Sequence, residues 1–320
     1  MLDGLFEAAF AGEQLEFLAQ DVLGYDNSVF TDYTTEDGKW ITDGKTRTVW
    51  TSGMVAGMFW YMYEATGDEK WQTYGAHFTD GMSGAEMEDD NDVGFQVFNS
   101  YGLGFRLTGT AAYKTKVLTG AETLYDIRYQ ASSMFWSNLL HSENAFNIGA
   151  FWSWTEPKSR PEWKRAVNVD MLMNLEIMLW ASTHGGKDFH YDAAISHANV
   201  TMRDIVRPDY STFHVADYDP DTGTLVDKGT YQGWQDNSTW SRGQAWAIYG
   251  YVMIYRFTKM SAYLALYKDL LAYYLAELPT DGIPFSDFDA PEDADNSKDT
   301  SASAIVASSL LECYDITSET

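Results

Sequence analysis

Cysteine is nearly absent. Cys313 is the only one, so no intramolecular disulfide can form and a cysteine-based metal site is excluded. Basic residues are scarce as well: 21 lysines and arginines against 47 aspartates and glutamates leave a formal net charge of −26. Nucleic-acid binding rests on lysine and arginine neutralising phosphates, so that class is excluded, as is docking on an anionic membrane surface. High acidity favours solubility, and an anionic ligand would need a local island of positive charge. No lysine or arginine precedes Lys39, and residues 1–30 supply no apolar run, so a secretory signal is not visible. The expectation is a cytoplasmic protein, or a periplasmic one if the N-terminus has been trimmed. The longest apolar run, Met54 to Tyr63, is too short to span a bilayer. No glycine-rich phosphate loop and no serine or cysteine nucleophile signature occurs.

Aromatic residues are abundant. The chain carries 12 tryptophans and 21 tyrosines in 320 residues, which join apolar area to a polar handle and suit sugar rings as well as a core. Leu2 to Leu23 reads as an amphipathic helix, and Gly24 to Arg47 as loop. From Trp50 a pattern recurs. An apolar helix (Trp50–Ala65, Asp92–Leu107, Val167–Ser182, Trp240–Phe257) is followed by a turn and a more polar helix (Glu69–Met82, Ala111–Arg128, Asp188–Val206, and one through Leu278). Thr300–Tyr314 is a fifth apolar helix. At the hinges Thr66, Thr108 and Thr258 each precede an aromatic (Trp71, Tyr113, Tyr263) by five residues, and Thr183 precedes Phe189 by six.

A repeated hairpin of one apolar and one amphipathic helix is a structural repeat. Apolar helices must be buried and amphipathic ones cover them. A closed ring meets both demands, so the expected fold is all-α, an (α/α)6 toroid formed as one catalytic domain over 1–320, with an open solenoid second. The connections Asn144–Arg165 and Phe213–Gln235 are long, and the second predicts a small β-hairpin in a mouth loop. The segment from Asp315 to Thr320 reads as a hinge, which predicts a ring short at its C-terminus.

Candidate chemistry gathers at the starts of the apolar helices. In Asn237–Gly250, Arg242 and Trp246 sit four apart and share a helix face. A guanidinium beside an indole is a receptor for a carboxylate on a ring-shaped ligand; the plainer reading is a buried helix start with arginine stacked on its own tryptophan. Asp170 opens an almost wholly apolar helix, where a carboxylate is costly unless hydrogen-bonded. It is either a first-turn aspartate serving helix N–H groups or a general acid. Asp92 holds the same position in its own repeat, with N-capping as its plainer role. In a toroid both would face one mouth, and two carboxylates there fit glycosidase chemistry. His214 and Gln232 flank the expected hairpin. Asp217–Gly223 superficially resembles a calcium loop, but its glycine falls one place late, Pro220 intrudes, and Lys228 stands where a glutamate should close the cage. It is read as a solvated turn. No metal and no cofactor are expected.

With these residues assembled, the chain resembles glycoside hydrolase family 88, the unsaturated glucuronyl hydrolases. The resemblance runs from about Trp50 to the end. It rests on Asn91–Phe95, Val169–Asn174, Asp217–Gln232 and Ser238–Gly250, in that order and spacing. It implies an (α/α)6 barrel that hydrates the C4=C5 enol ether of the unsaturated uronic acid left by polysaccharide lyases, after which the hemiketal opens and frees the remaining sugar. By match to the motifs, Asp170 would be general acid and base and Asp92 its carboxylate neighbour. Arg242 and Trp240 would line the carboxylate and ring subsite, with Trp246, His214, Gln232 and Trp50 in the same pocket. The family often has histidine before the first aspartate; here Asn91 stands there and keeps a hydrogen-bond donor. The family's C-terminal segment, which helps choose sulfated against unsulfated sugars, has no counterpart in this reading. The expected partner is an unsaturated uronate oligosaccharide, with the protein a monomer or weak homo-oligomer. An unsaturated rhamnogalacturonyl hydrolase and an inactive toroid that only binds acidic oligosaccharides are the alternatives. A terpene-cyclase-like toroid lacks its aspartate-rich metal motifs.

Overall fold

The computed structural model describes residues 2–42, 45–130, 148–291 and 296–318. The first four residues of the connection Asn144–Arg165 and the last two of the terminal segment lie outside these. The chain divides into two compact units, Met1–Leu124 and Tyr125–Thr320.

In the first unit, α1 (Leu2–Phe17) ends in a π-helical turn, Leu18–Val22. Helix α2 (Ser52–Thr66) pairs with α3 (Glu69–Gly81), and α4 (Val93–Val97) runs through a π turn, Phe98–Gly102, into α5 (Leu103–Thr108), which is followed by α6 (Ala111–Leu124). Both hairpins expected here are present. Phe59, Trp60 and Phe78 are fully buried, and the Trp60 indole N–H donates to Thr79 Oγ1 at 2.9 Å. Helix α2 presses directly on α4. A Cβ on Gly53 would lie 2.1 Å from the Gln96 carbonyl oxygen, so only glycine permits that crossing.

The hinges repeat because one arrangement repeats. A threonine in the last helical turn can turn its hydroxyl back onto the carbonyl four residues earlier. The hydroxyls of Thr66, Thr108 and Thr258 donate to the carbonyls of Met62, Gly104 and Ile254 at 2.6, 2.6 and 2.9 Å. Each then accepts the N–H two residues on, at 3.2, 3.3 and 3.2 Å. The residue after each threonine is left-handed: Gly67, Gly109 and Lys259. The aromatic five residues after the threonine then packs on a ring of the preceding helix: Trp71 on Phe59, Tyr113 on Tyr101, Tyr263 on Tyr251. At Thr183 the left-handed residue is Gly185, one place later, which accounts for the longer spacing to Phe189.

In the second unit a π turn, Tyr125–Gln130, precedes a sheet of three antiparallel strands ordered β1 (Ala166–Asn168), β2 (Val215–Tyr218), β3 (Leu225–Gly229). Strands β2 and β3 are the expected hairpin. β1 corrects the reading of Val167–Asn168 as helix: Val167 pairs with Ala216 and Asn168 with Val215. A short apolar run with β-branched residues does not declare its period. Helix α7 (Met171–Thr183) pairs with α8 (Asp188–Asp204), and α9 (Ser241–Thr258) with α10 (Ser261–Glu277). Helix α11 (Thr300–Ser318) passes through Asp315, where the sequence reads as a hinge. Its last turn is closed by Thr317 Oγ1, which donates to the Cys313 carbonyl at 2.6 Å. Helix α9 crosses α7 closely, since a Cβ on Gly250 would lie 2.7 Å from Leu172 Cβ. Arg256 of α9 ties the cluster by ion pairs to Glu176 of α7 and Glu312 of α11. Among the described residues no helix is long and apolar enough to cross a membrane.

Lys259 holds φ +55° at a position where the first two hinges use glycine. Because a side chain in this region costs roughly 1–2 kcal/mol and glycine's added unfolded-state entropy returns about half of that, Lys259→Gly is expected to raise the midpoint of thermal unfolding. Differential scanning calorimetry checks it, and a lowered midpoint contradicts the hinge account.

Candidate active site

Asp170 sits immediately before α7 with helical φ −61° and ψ −28°, yet its side chain makes no cap hydrogen bond. Asn168 does that work: its Oδ1 accepts the Met171 N–H at 3.2 Å and is itself held by Ser153 Oγ at 2.7 Å. The plainer reading of Asp170, a carboxylate serving helix N–H groups, is therefore corrected. Its carboxylate is 16% exposed, and Oδ1 lies 3.9 Å from His214 Nε2.

Strand pairing brings His214 there. Val169 N–H donates to the His214 carbonyl at 2.9 Å, in step with the β1–β2 ladder. The imidazole is 2% exposed. Its Nδ1 accepts from the backbone N–H groups of Tyr231 and Gln232 at 3.1 and 3.3 Å. An amide can only donate, so Nδ1 is bare and the neutral ring carries its proton on Nε2, toward Asp170. Burial, with a smaller push from the Arg242 guanidinium, lowers the His214 pKa to about 3. The ring lies 4.6 Å from Trp240 and edge-on to Trp154 at 5.9 Å between centroids.

Trp240 precedes α9 in an extended conformation, φ −65° and ψ 120°, and is 3% exposed. Its ring carries the Arg242 guanidinium at 4.7 Å. The indole beside the arginine is thus Trp240, whereas helix spacing pointed to Trp246. Trp246 is one turn further along α9 and 6% exposed. Trp240 lies flat because residue 243 is glycine, whose Cβ would meet Trp240 Cε3 at 2.9 Å. Arg242 Nη1 reaches Asp299 Oδ2 at 3.3 Å and Ser301 Oγ at 3.2 Å. Gln232 joins through its backbone; its side chain is exposed.

The loop that carries these groups is firmly held. Arg207 donates to Ser211 Oγ, Thr212 O, Thr239 Oγ1, Asn237 O and Ser238 O, all between 2.8 and 3.2 Å. The buried Asp287 accepts from Trp234 N and Ser238 Oγ at 2.9 and 2.6 Å. The calcium-like stretch is a turn in which Asp219 Oδ1 accepts the N–H groups of Asp221 and Thr222. Among the described residues no group of side chains is arranged to hold a metal ion.

The remaining candidates belong to the first unit. Asp92 immediately precedes α4, as Asp170 precedes α7, and its side chain likewise makes no cap bond. Asn91 Nδ2 donates to Asp92 Oδ1 at 3.0 Å, so the asparagine keeps a donor on this carboxylate. Trp50 meets Phe95 edge-on at 5.3 Å. The second unit gathers Asp170, His214, Trp240, Arg242 and the Gln232 backbone. Sequence reasoning missed Asn168, Trp154, Asp299 and Ser301. An aspartate before an apolar helix signals α11, but nothing local signals its pairing with Arg242.

Residues 23–315 match the family model of Glycosyl Hydrolase Family 88. The chain is 38% identical over 272 residues to an unsaturated glucuronyl hydrolase of Formosa agariphila, covering 84% of this chain and 64% of that protein. It is 32% identical over 282 residues to an unsaturated glucuronyl hydrolase of Bacillus sp. strain GL1, covering 85% of this chain and 70% of that one. The crystal structure of an unsaturated glucuronyl hydrolase specific for heparin superposes with a TM-score of 0.85 at 32% identity, covering 99% of this chain and 79% of that chain. The chain belongs to glycosyl hydrolase family 88. Its fold class is the one expected from sequence, all-α of the (α/α)6 toroid type with a small sheet.

The His214 assignment is open to measurement. A pKa lowered from 6.5 to about 3 means that the unfolded chain binds the extra proton first. His214 therefore contributes stability that is fully present above about pH 6.5 and is lost as pH falls toward 3. In the folded protein, nitrogen NMR of labelled imidazoles should show His214 neutral and protonated on Nε2 down to pH 5. A signal titrating near 6.5, or one from the Nδ1–H form, would contradict the assignment.

Proposed function

We propose that this chain hydrates the C4=C5 double bond of a glucuronic acid at the non-reducing end of lyase-generated oligosaccharides. Water adds across the enol ether, hydrogen to C4 and hydroxyl to C5; the hemiketal then opens, freeing the rest of the sugar and releasing the uronate. The observation that carries this reading is Asp170, released from capping by Asn168 and facing a buried imidazole N–H. One carboxyl can give the proton to C4 and receive one from the water. His214, fixed as a neutral donor, orients oxygen atoms without titrating. Arg242 receives the uronate carboxylate while Trp240 holds the guanidinium plane. The names of the relatives, both unsaturated glucuronyl hydrolases, support the same substrate class.

The test is loss of ultraviolet absorbance from the enol ether with unsaturated disaccharides made by several lyases. Asp170→Asn should keep the fold and lose turnover by about 10² to 10⁴, the usual size of a general acid–base contribution. A purified variant keeping more than about a tenth of wild-type turnover would remove Asp170 from that role.

Arg242→Lys replaces a planar fork with a point ammonium. It should raise KM on the disaccharide with a smaller change in kcat, and an unchanged KM would place the uronate carboxylate elsewhere.

A further inference from the structure

The Arg242 guanidinium already has an anion beside it. Asp299 Oδ2 lies 3.3 Å from Nη1, and Ser301 Oγ takes the same nitrogen at 3.2 Å. Asp299 stands just before α11, where its other oxygen, Oδ1, accepts the Ala302 N–H at 3.1 Å and the Ser301 hydroxyl. Its carboxylate is 9% exposed and the Arg242 side chain 28%. Trp240 covers one guanidinium face.

A guanidinium offers two paired-donor edges, the Nη1–Nη2 end and the Nη2–Nε side. Asp299 and Ser301 hold the Nη1 end, and among the described residues no protein group takes Nη2 or Nε. With the face against Trp240 and one corner pinned, the side edge has a single orientation.

We propose that Asp299 is a positioning residue for the ligand carboxylate. It fixes the Arg242 fork so that its Nη2–Nε edge receives the uronate, and its own negative charge moderates how tightly that anion is held. The identity of the carboxylate rests on the hydrolase reading above; the geometry of the Asp299–Arg242–Trp240 group does not. The arrangement gives an acidic protein a receptor whose charge is partly balanced, so the bound uronate can leave again. Asp299 contributes alignment at the expense of affinity.

Two substitutions separate these effects. Asp299→Asn removes the charge and keeps one oxygen, which caps the helix and fixes the Ser301 hydroxyl, so Ser301 Oγ still accepts from Nη1. Asp299→Ser also caps the helix but is too short to fix Ser301 or to reach Arg242. Wild type and both variants are compared for kcat and KM on one unsaturated uronate disaccharide and on its methyl ester. Their affinity for glucuronate is measured in parallel by calorimetry. Asp299→Asn should lower KM for the acid by about threefold, the scale of a partly exposed ion pair, and leave the ester unchanged. Asp299→Ser should show no such gain, because the fork is no longer held. Equal KM values for the two variants, or an Asn variant no tighter than wild type, overturn the proposal. A wild type that hydrates nothing, with an Asn variant that still gains affinity for glucuronate, sinks the reaction and upholds Asp299. An active wild type with indistinguishable variants sinks Asp299 alone.

Discussion

The candidate site in the second unit depends on one backbone hydrogen bond, from Val169 N–H to the His214 carbonyl. It lies between two segments more than forty residues apart in sequence. It continues the β1–β2 ladder by one step, just where the chain turns from strand into α7. The residue that follows is Asp170. The carboxylate and the imidazole are therefore set by sheet register, and a slip of one residue would send either side chain to the opposite face. Asn168 completes the arrangement at the strand's end by capping the helix that Asp170 would otherwise serve.

Around this point, charge is arranged by exclusion of water. His214 is held neutral by burial and by two amide donors, so its remaining N–H is a fixed dipole. The guanidinium of Arg242 rests on an indole on one side and on a carboxylate at one corner. These are preorganised donors of the kind that need little rearrangement when charge arrives. The half-buried Arg256 with Glu176 and Glu312 holds α7, α9 and α11 together at a second level of the same helices. Burial raises the pKa of Glu312 there, while the guanidinium beside it acts in the opposite sense.

Much of this was legible in the sequence. The helix hairpins follow from apolar and amphipathic alternation, and the hinges show in the recurring spacing from a threonine to an aromatic residue. The equivalent placement of Asp92 and Asp170, each just before its helix, was visible from the repeat alone. What stayed hidden depends on contacts across the chain. Val167 and Asn168 belong to a strand because β2 is there to pair with them, and a short apolar run carries no sign of that. Helical spacing put Trp246 beside Arg242, but Trp240 lies in extended chain before the helix and turns its ring beneath the guanidinium. Asp299 is far along the chain, and only folding discloses its pairing.

The loop before α9 has a further consequence. Arg207 gives its guanidinium hydrogens to three acceptors there, Asn237 O, Ser238 O and Thr239 Oγ1, and Asp287 receives two donors from the same loop. The conformational entropy of this segment is surrendered when the protein folds, so a ligand meeting it has little disorder left to remove. Such a loop cannot remould itself around a sugar of the wrong shape. Selectivity at this edge then works as a rigid gauge: a poorly matched ring loses contacts outright, with no compensating movement of the chain to recover them.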